Sequence, residues 1–173
     1  MAVLDTNVFV SAAISKHGAP GKLMALLEAE AYGVVMSSAI LEEIAAVMRY
    51  TKIAATYHLT ENWIVEYLDH LRDVVTWTEP DVKLSIIEED PSDNKYLECA
   101  VSAGAQDIVS GDKHLLGLRS YQGVEILTPA GFFALFGGHK TNEPTGNRLA
   151  HSALPGGPDG SRTRDLWLDR PVC

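Results

Sequence analysis

Short apolar segments of strand composition alternate with helix-patterned segments along the first 137 residues. The segments expected to form strands are 2–4, 33–36, 74–77, 107–110 and 124–127. Between them, apolar residues recur at the three- and four-residue spacing of amphipathic helices. Strands joined through helices run parallel, and a parallel sheet must be covered on both faces. The sequence therefore predicts an α/β protein, a three-layer α/β/α sandwich with a central parallel sheet.

The patterned part of the chain ends near Gly137, which predicts a domain over residues 1–137. Residues 138–173 are rich in Gly, Pro, Asn, Arg and Asp and have no periodic apolar positions. Such a segment buries too little apolar surface to offset the entropy of ordering it. We expect residues 138–173 to be a disordered or appended tail.

Composition limits the class of protein and its compartment. The chain has only two cysteines, Cys99 and Cys173, which is not the pattern of a disulfide framework or a zinc site. No apolar run reaches the roughly 18 residues that a membrane span needs, and no basic segment precedes the first strand. We therefore expect a cytoplasmic protein without a membrane segment.

The charge of the predicted domain is strongly negative. The whole chain has a formal net charge of −9, and residues 1–137 contain 9 Lys and Arg against 19 Asp and Glu. Nucleic-acid enzymes usually present a basic face. Bound metal would neutralise several acids, but the charge still argues against a strong non-specific nucleic-acid binder.

Acidic residues fall at four places that an α/β fold brings together. Asp5 follows the first strand, and Asp112 follows the strand that ends at Ser110. Glu43 lies on the helix after the second strand, and Asp93 lies in the first turn of a later helix. In open α/β sheets such positions meet in one crevice beyond the carboxyl ends of the strands. Oxygen ligands of this kind suit Mg²⁺ or Mn²⁺, the cations that phosphodiester chemistry commonly uses.

Each acid also has an ordinary structural explanation. Asp5 can cap a turn, Asp90 and Asp93 can cap a helix and compensate its dipole, and Asp112 can be a turn residue. Taken singly, none of these positions indicates a catalytic site.

Glu43 and its neighbour Glu42 are expected to face different ways. Glu43 lies beside the apolar stripe of its helix, at spacings of three, one and four from Ile40, Ile44 and Val47. Residues three and four apart share a helix face. Glu43 should therefore border the buried side, and Glu42 should be a solvated surface charge.

The four acidic segments, taken together in this order and spacing, resemble the PIN domain. The matching segments are Val-Leu-Asp-Thr-Asn (3–7), Ser-Ser-Ala-Ile-Leu-Glu-Glu-Ile (37–44), Glu-Asp-Pro-Ser-Asp-Asn-Lys-Tyr-Leu-Glu-Cys-Ala (89–100) and Ile-Val-Ser-Gly-Asp-Lys-His-Leu-Leu (108–116). The resemblance covers residues 1 to about 136 and is strongest to bacterial VapC-like toxins of toxin–antitoxin systems.

This resemblance implies a set of site residues and an activity. The metal-binding, catalytic acids would be Asp5, Glu43, Asp93 and Asp112, with Asn7, Ser110 and Asp90 as supporting residues. The implied activity is Mg²⁺- or Mn²⁺-dependent endonucleolytic cleavage of RNA by metal-activated water. The implied partners are a small antitoxin protein and a second copy of the chain in a homodimer.

One helix offers a partial physical reason for a homodimer. The helix from about Thr60 to Asp73 has a wide apolar face, made of Trp63, Ile64, Tyr67, Leu68 and Leu71. A face of this size must be buried against another subunit or against the domain itself. The sequence does not decide between the two.

Two other functions remain open. A haloacid-dehalogenase-type phosphatase would need a second Asp two positions after Asp5, where this chain has Asn7, so that function is disfavoured. A catalytically weak PIN-fold binding module, held by a small partner protein, is favoured by the acidic net charge. Lys95 and Lys113 follow proposed catalytic acids and are either phosphate contacts or ordinary surface lysines.

Overall fold

A computed structural model describes residues 1–137 of the chain. The predicted tail, 138–173, lies outside the described residues. The strands are β1 (Ala2–Leu4), β2 (Val34–Met36), β3 (Thr76–Trp77), β4 (Asp107–Val109), β5 (Ser120–Tyr121) and β6 (Val124–Leu127). The helices are α1 (Thr6–Ile14), α2 (Ala19–Glu28), α3 (Ser38–Arg49), α4 (Thr51–Thr56), α5 (Glu61–Val74), α6 (Asn94–Ala103), α7 (Lys113–Leu118) and α8 (Pro129–Gly137), and a 3-10 turn (Pro91–Asp93) precedes α6.

The strands form one sheet in the order β3-β2-β1-β4-β6-β5. All neighbouring pairs are parallel except β5 with β6, which is antiparallel. In the register of the sheet, Ala2 of β1 lies opposite Val34 of β2 and Asp107 of β4. β1 is therefore central, and the residues that follow β1 and β4 emerge side by side.

The core lies where the apolar strands meet the helices. Every residue of β1 and β2 is buried, as expected for a parallel sheet that is covered on both faces. Helix α1 packs against α2 and α3, whereas α6 packs directly on β1, β2 and β4. The predicted three-layer α/β/α sandwich with a central parallel sheet is confirmed.

Several helix ends follow from local signals in the sequence. Thr60 caps α5 by accepting a hydrogen bond from the backbone N–H of Trp63 at 3.3 Å. Helix α6 ends at Gly104, whose φ of 63° lies in the left-handed region that glycine adopts without steric cost. Ser37 occupies the N-cap position of α3, although its side chain makes no capping hydrogen bond there.

Four short elements do not follow from the sequence pattern. Helix α1 is buried at Thr6, Val8, Phe9, Val10 and Ala12, so it lacks the one-sided stripe that marks an amphipathic helix. Helix α4 has no buried residue, and α7 has one, Leu115. Strand β5 has two residues and pairs antiparallel at the sheet edge. Elements this short carry too little periodicity to be recognised.

The apolar face of α5 is largely covered within the domain. Ile64, Tyr67, Leu68 and Leu71 are all buried in the single chain, and Trp63 is half-buried. The rings of Trp63 and Tyr67 stack with centroids 5.4 Å apart. This face completes the core of the domain and therefore no longer argues for a homodimer. Among residues 1–137, no helix is both long and apolar enough to span a bilayer.

Candidate functional site

A crevice of about 360 Å³ opens beyond the carboxyl ends of the central strands, and five acidic residues line it. They are Asp5, Glu43, Asp90, Asp93 and Asp112. The backbone explains this convergence, because Asp5 N–H donates to Val109 O at 2.9 Å and Ser110 N–H donates to Leu127 O at 2.9 Å. The ends of β1, β4 and β6 thus lie together, and α3 and α6 contribute the other acids.

Asp5 is the most enclosed acid of the crevice. It is buried and occupies the N-cap of α1, where Asn7 N–H donates to it at 3.2 Å. The Asn7 side-chain amide donates at 2.5 Å, and the Ser110 hydroxyl also donates to the Asp5 carboxylate. Burial, reinforced by the nearby charge of Glu43, nevertheless raises the pKa of Asp5.

Asn7 and Ser110 connect the two loops that carry Asp5 and Asp112. Besides donating to Asp5, Asn7 accepts a hydrogen bond from Gly111 N–H at 3.3 Å through its Oδ1 atom. Ser110 accepts from Asp112 N–H at 2.8 Å through its hydroxyl. Both side chains therefore fix the position of Asp5 relative to the loop after β4.

Glu43 has a different environment from the aspartates. Its carboxylate accepts hydrogen bonds from Thr6 Oγ1 at 2.6 Å, from Lys95 Nζ at 2.8 Å and from the Tyr96 hydroxyl. Burial opposes ionisation, but these three donors outweigh it and lower the pKa of Glu43. Glu42, one residue earlier, is exposed. Glu43, which lines the crevice, is thus already hydrogen-bonded to donors of the protein, whereas Glu42 faces solvent.

Thr6 and Tyr96 are site residues that were not predicted from the sequence. Both are buried and line the crevice. The Tyr96 hydroxyl donates to Glu43 and also lies 3.0 Å from Thr6 Oγ1 and 3.2 Å from Thr6 N. A sequence signal exists for Tyr96, because it follows Asp93 by three residues and so shares its helix face.

Asp93 has a strongly shifted pKa. Burial, together with the nearby charges of Asp90, Asp112 and Asp5, raises the pKa of the Asp93 carboxyl to about 6. Asp90 is exposed, and its carboxylate caps the 3-10 turn by accepting from Ser92 N–H at 3.1 Å and Ser92 Oγ at 2.6 Å. Those hydrogen bonds from Ser92 lower the pKa of Asp90.

Asn94 anchors the loop that presents Asp90 and Asp93. Its side-chain oxygen accepts from the backbone N–H groups of Ile86 and Ile87 at 2.8 and 3.0 Å. Its amide donates to the carbonyl oxygens of Ile87 and Pro91, both at 3.0 Å. This buried amide satisfies four backbone groups and is a third residue, after Thr6 and Tyr96, that was not predicted from the sequence. An amide with all its hydrogen bonds made holds a loop in one conformation.

Asp112 occupies the N-cap of α7. It accepts from His114 N–H at 2.6 Å and from Leu115 N–H at 3.3 Å. The His114 ring in turn pairs with Glu89 at 2.5 Å between Nδ1 and Oε2. Asp112 is thus both a helix cap and a lining residue of the crevice, so the structural and functional explanations of this acid are compatible.

The donor chemistry of the crevice fits a hard divalent cation, because its acidic lining offers carboxylate oxygens. Burial and, after it, the neighbouring carboxylates raise the pKa of Asp93. As the side chains stand, however, the part of the chain that the structure describes contains no group of three His, Cys, Asp or Glu residues that could hold one ion. Asp5, Glu43 and Asp112 are instead hydrogen-bonded to protein donors.

Comparisons with known proteins give a family match and an archaeal relative. Residues 1–114 match the family model described as PIN domain. The chain is also 35% identical over 117 residues to an uncharacterized protein of Methanocaldococcus jannaschii, a match that covers 68% of this chain and 74% of the relative. The family match includes all five acids of the crevice.

Proposed function

Since this chain belongs to the PIN domain family, whose members are generally nucleases, we propose that it is a divalent-metal-dependent endoribonuclease. The observation that carries this proposal is the meeting of five acids from four segments in one crevice. Helix capping explains Asp5, Asp90 and Asp112, but it does not explain Glu43 or the convergence of all five acids. Like charges brought this close repel each other unless a cation is bound between them.

The residues proposed to hold the cation are Asp5, Glu43, Asp93 and Asp112, with Mg²⁺ or Mn²⁺ as the ion. When bound, such a cation lowers the pKa of a water molecule and stabilises charge on the phosphate of RNA. Asp5 is oriented for this role by Asn7 and Ser110. Asp90, at the rim of the crevice, would act as an outer acid.

Glu43 would bind the cation only if one of its carboxylate oxygens were released from its present hydrogen bonds. Lys95 binds Oε1, and Thr6 and Tyr96 bind Oε2. The Lys95 ammonium is the single cation in contact with the acids that line the crevice, among the ion pairs of residues 1–137. In the protein without metal, Lys95 therefore supplies part of the positive charge that a divalent ion would supply. Lys113 is exposed beside Asp112 and is available to contact a phosphate.

The biological setting follows from the family resemblance alone. We propose that the protein acts in the cytoplasm as the toxin of a toxin–antitoxin module, with a small antitoxin protein as its partner and a homodimer as its assembly. The acidic crevice suits an antitoxin that presents an arginine, because the guanidinium pairs with carboxylates and competes with metal. Co-expression with the neighbouring gene tests the antitoxin partner, and light scattering of the purified product tests the homodimer.

A catalytically weak binding module is the second candidate. Two observations favour it: the negative charge of the domain and the engagement of three of the four proposed ligands by protein donors. Such a protein would bind its partner through the crevice without cleaving RNA.

Cleavage of labelled RNAs separates the two candidates. The purified protein should cut single-stranded or structured RNA with Mg²⁺ or Mn²⁺, and EDTA should stop the reaction. Asp5→Asn should abolish cleavage with the fold intact, whereas Asp73→Asn, an exposed acid outside the crevice, should cleave like wild type. A wild-type protein that leaves every RNA intact with both metals favours the binding module. An Asp5→Asn variant with the wild-type rate refutes the catalytic site.

A further inference from the structure

Helix α4 contributes little to the core of the domain. None of its residues is buried, and its main packing partner is the preceding helix α3. It is flanked by two of the most exposed aromatic residues of the described chain, Tyr50 at 62% and Tyr57 at 44% exposure. Single exposed aromatic residues are common on protein surfaces and need no explanation. The position of Tyr50 and Tyr57 beside the acidic crevice, however, does call for an explanation.

The two tyrosines flank a residue of the crevice wall. Ile53 lines the acidic crevice, and Tyr50 and Tyr57 lie three residues before it and four residues after it. The two tyrosines cap α4 at its two ends: Ile53 N–H donates to Tyr50 O at 2.8 Å, and Tyr57 N–H donates to Ile53 O at 3.0 Å. Residues at these spacings follow one face of a helix. The stripe Tyr50–Ile53–Tyr57 therefore continues the wall of the crevice onto the exposed surface.

Two exposed lysines lie next in sequence to residues that line the crevice. Lys52, the residue before Ile53, is exposed, in a domain where acids outnumber basic residues about two to one. Lys113 is exposed directly after Asp112 on another wall of the same crevice. Neither lysine is among the residues that line the crevice, so each would meet a nucleic-acid strand outside it. Such lysines contact phosphates and carry no preference for sequence.

We propose that Tyr50, Ile53 and Tyr57 form a base-stacking platform for single-stranded RNA beside the acidic crevice. The platform rests on the proposed nuclease function and names the part of the protein that holds the nucleotides next to the cleaved bond. Tyr50 and Tyr57 are the N-cap and C-cap residues of the six-residue helix α4, and a rise of about 1.5 Å per residue puts their Cα atoms about 10 Å apart. That length corresponds to about three base steps of about 3.4 Å each. Aromatic side chains stack on any base, so the platform gives affinity without sequence readout.

Fluorescence anisotropy with labelled RNA tests the platform. The full chain is titrated into an octaadenylate and into an abasic octamer with the same phosphates, with Ca²⁺ in place of Mg²⁺ and RNA integrity checked on gels. Tyr50→Ala and Tyr57→Ala should each weaken octaadenylate binding on the order of tenfold, the scale of one lost base-stacking contact. Both variants should bind the abasic octamer as wild type does. Tyr50→Phe and Tyr57→Phe should retain wild-type affinity, because stacking requires the ring and not the hydroxyl.

Each of the following results overturns the platform. If the alanine variants bind octaadenylate as wild type does, or lose equal affinity for both octamers, the tyrosines do not stack on bases. If they lose dimerisation in light scattering but keep their affinity for RNA, the face is a protein interface. If the wild-type protein binds neither octamer and cleaves no RNA, the nuclease proposal fails and the platform fails with it. Cleavage by wild type with unaffected alanine variants refutes the platform alone.

Discussion

The hydrogen bonds to Glu43 make its replacement costly, in contrast to the crowded aspartates. In Glu43→Gln the side chain keeps its shape but has one acceptor oxygen and an NH₂ group in place of the second oxygen. If the oxygen faces Thr6 and Tyr96, the NH₂ group faces the Lys95 ammonium, and two donors meet without an acceptor. Lys95 is only 16% exposed and Glu43 31% exposed, so water replaces the lost contact poorly.

Burial sets the expected size of this effect. A shielded ion pair at about 4 Å, with an effective dielectric constant of about 20, gains about 4 kcal/mol, whereas an exposed pair gains about 0.5 kcal/mol. The Glu43–Lys95 pair lies between these limits, so we expect Glu43→Gln to lower the free energy of unfolding by about 2 kcal/mol. For a domain of this size the melting temperature should fall by roughly 6–8 °C.

Urea denaturation in EDTA measures this loss, and a double-mutant cycle assigns it to the pair. Lys95→Met removes the stranded ammonium, so Glu43→Gln/Lys95→Met should be about 1–2 kcal/mol more stable than additivity predicts. Glu42→Gln, an exposed neighbour on the same helix, should stay within about 0.5 kcal/mol of wild type. Additive single mutants, or a Glu42→Gln variant as unstable as Glu43→Gln, would contradict the pairing.

The pH dependence of this effect has a definite sign. The folded state holds the pKa of Glu43 below its ordinary value of 4.5. The pair therefore stabilises the fold fully above pH 4.5, and its contribution is lost as the pH falls through the lowered folded pKa. The difference between wild type and Glu43→Gln should shrink in that acid range. A difference that stays constant down to acid unfolding would show that the charge of Glu43 is not its cause.

Two further predictions concern Asp93 and the tail. The folded state raises the pKa of Asp93 from 3.8 to about 6. Protonated Asp93 therefore contributes to the stability of the fold, and this contribution is fully present below pH 3.8 and is lost as the pH rises through 6. In EDTA at pH 8, Asp93→Asn should therefore be more stable than wild type by up to about 1 kcal/mol after solvent screening. Near pH 4 the two should be equally stable. Thermal melts with Asp73→Asn as the control measure this difference. Truncation after Gly138 should leave the melting temperature unchanged, and a large drop would mean that the tail stabilises the domain.

The alternation of strands and helices was sufficient to predict the architecture of this domain. The segments at β1 and β2 are short, wholly apolar and buried, as parallel strands covered on both faces are. Strands β4 and β6 are also parallel to their neighbours but each contains an acid, Asp107 or Glu125. Helix α1 escaped notice for a related reason: it is buried on several sides, so its sequence has no polar face to reveal the helical period.

The position of Glu43 was predictable from helix spacing, but its partners were not. Helix spacing indicates which side of α3 faces inward, and that is the side of Glu43. The contacts with Thr6 and Tyr96 join residues 37 and 53 positions away in the chain, and no local pattern encodes contacts over such separations. The same limit applies to the arrangement of the carboxylates around an ion.

Binding of Mn²⁺ tests the central claim, that the acidic crevice is a divalent-cation site. Electron paramagnetic resonance of free Mn²⁺ reports how many ions the protein binds and how tightly. We predict that the wild-type protein binds Mn²⁺, that Asp5→Asn and Asp93→Asn weaken binding at least about tenfold, and that Asp73→Asn does not. A wild-type protein that binds no Mn²⁺, or crevice variants that bind it as tightly as Asp73→Asn, would contradict the account.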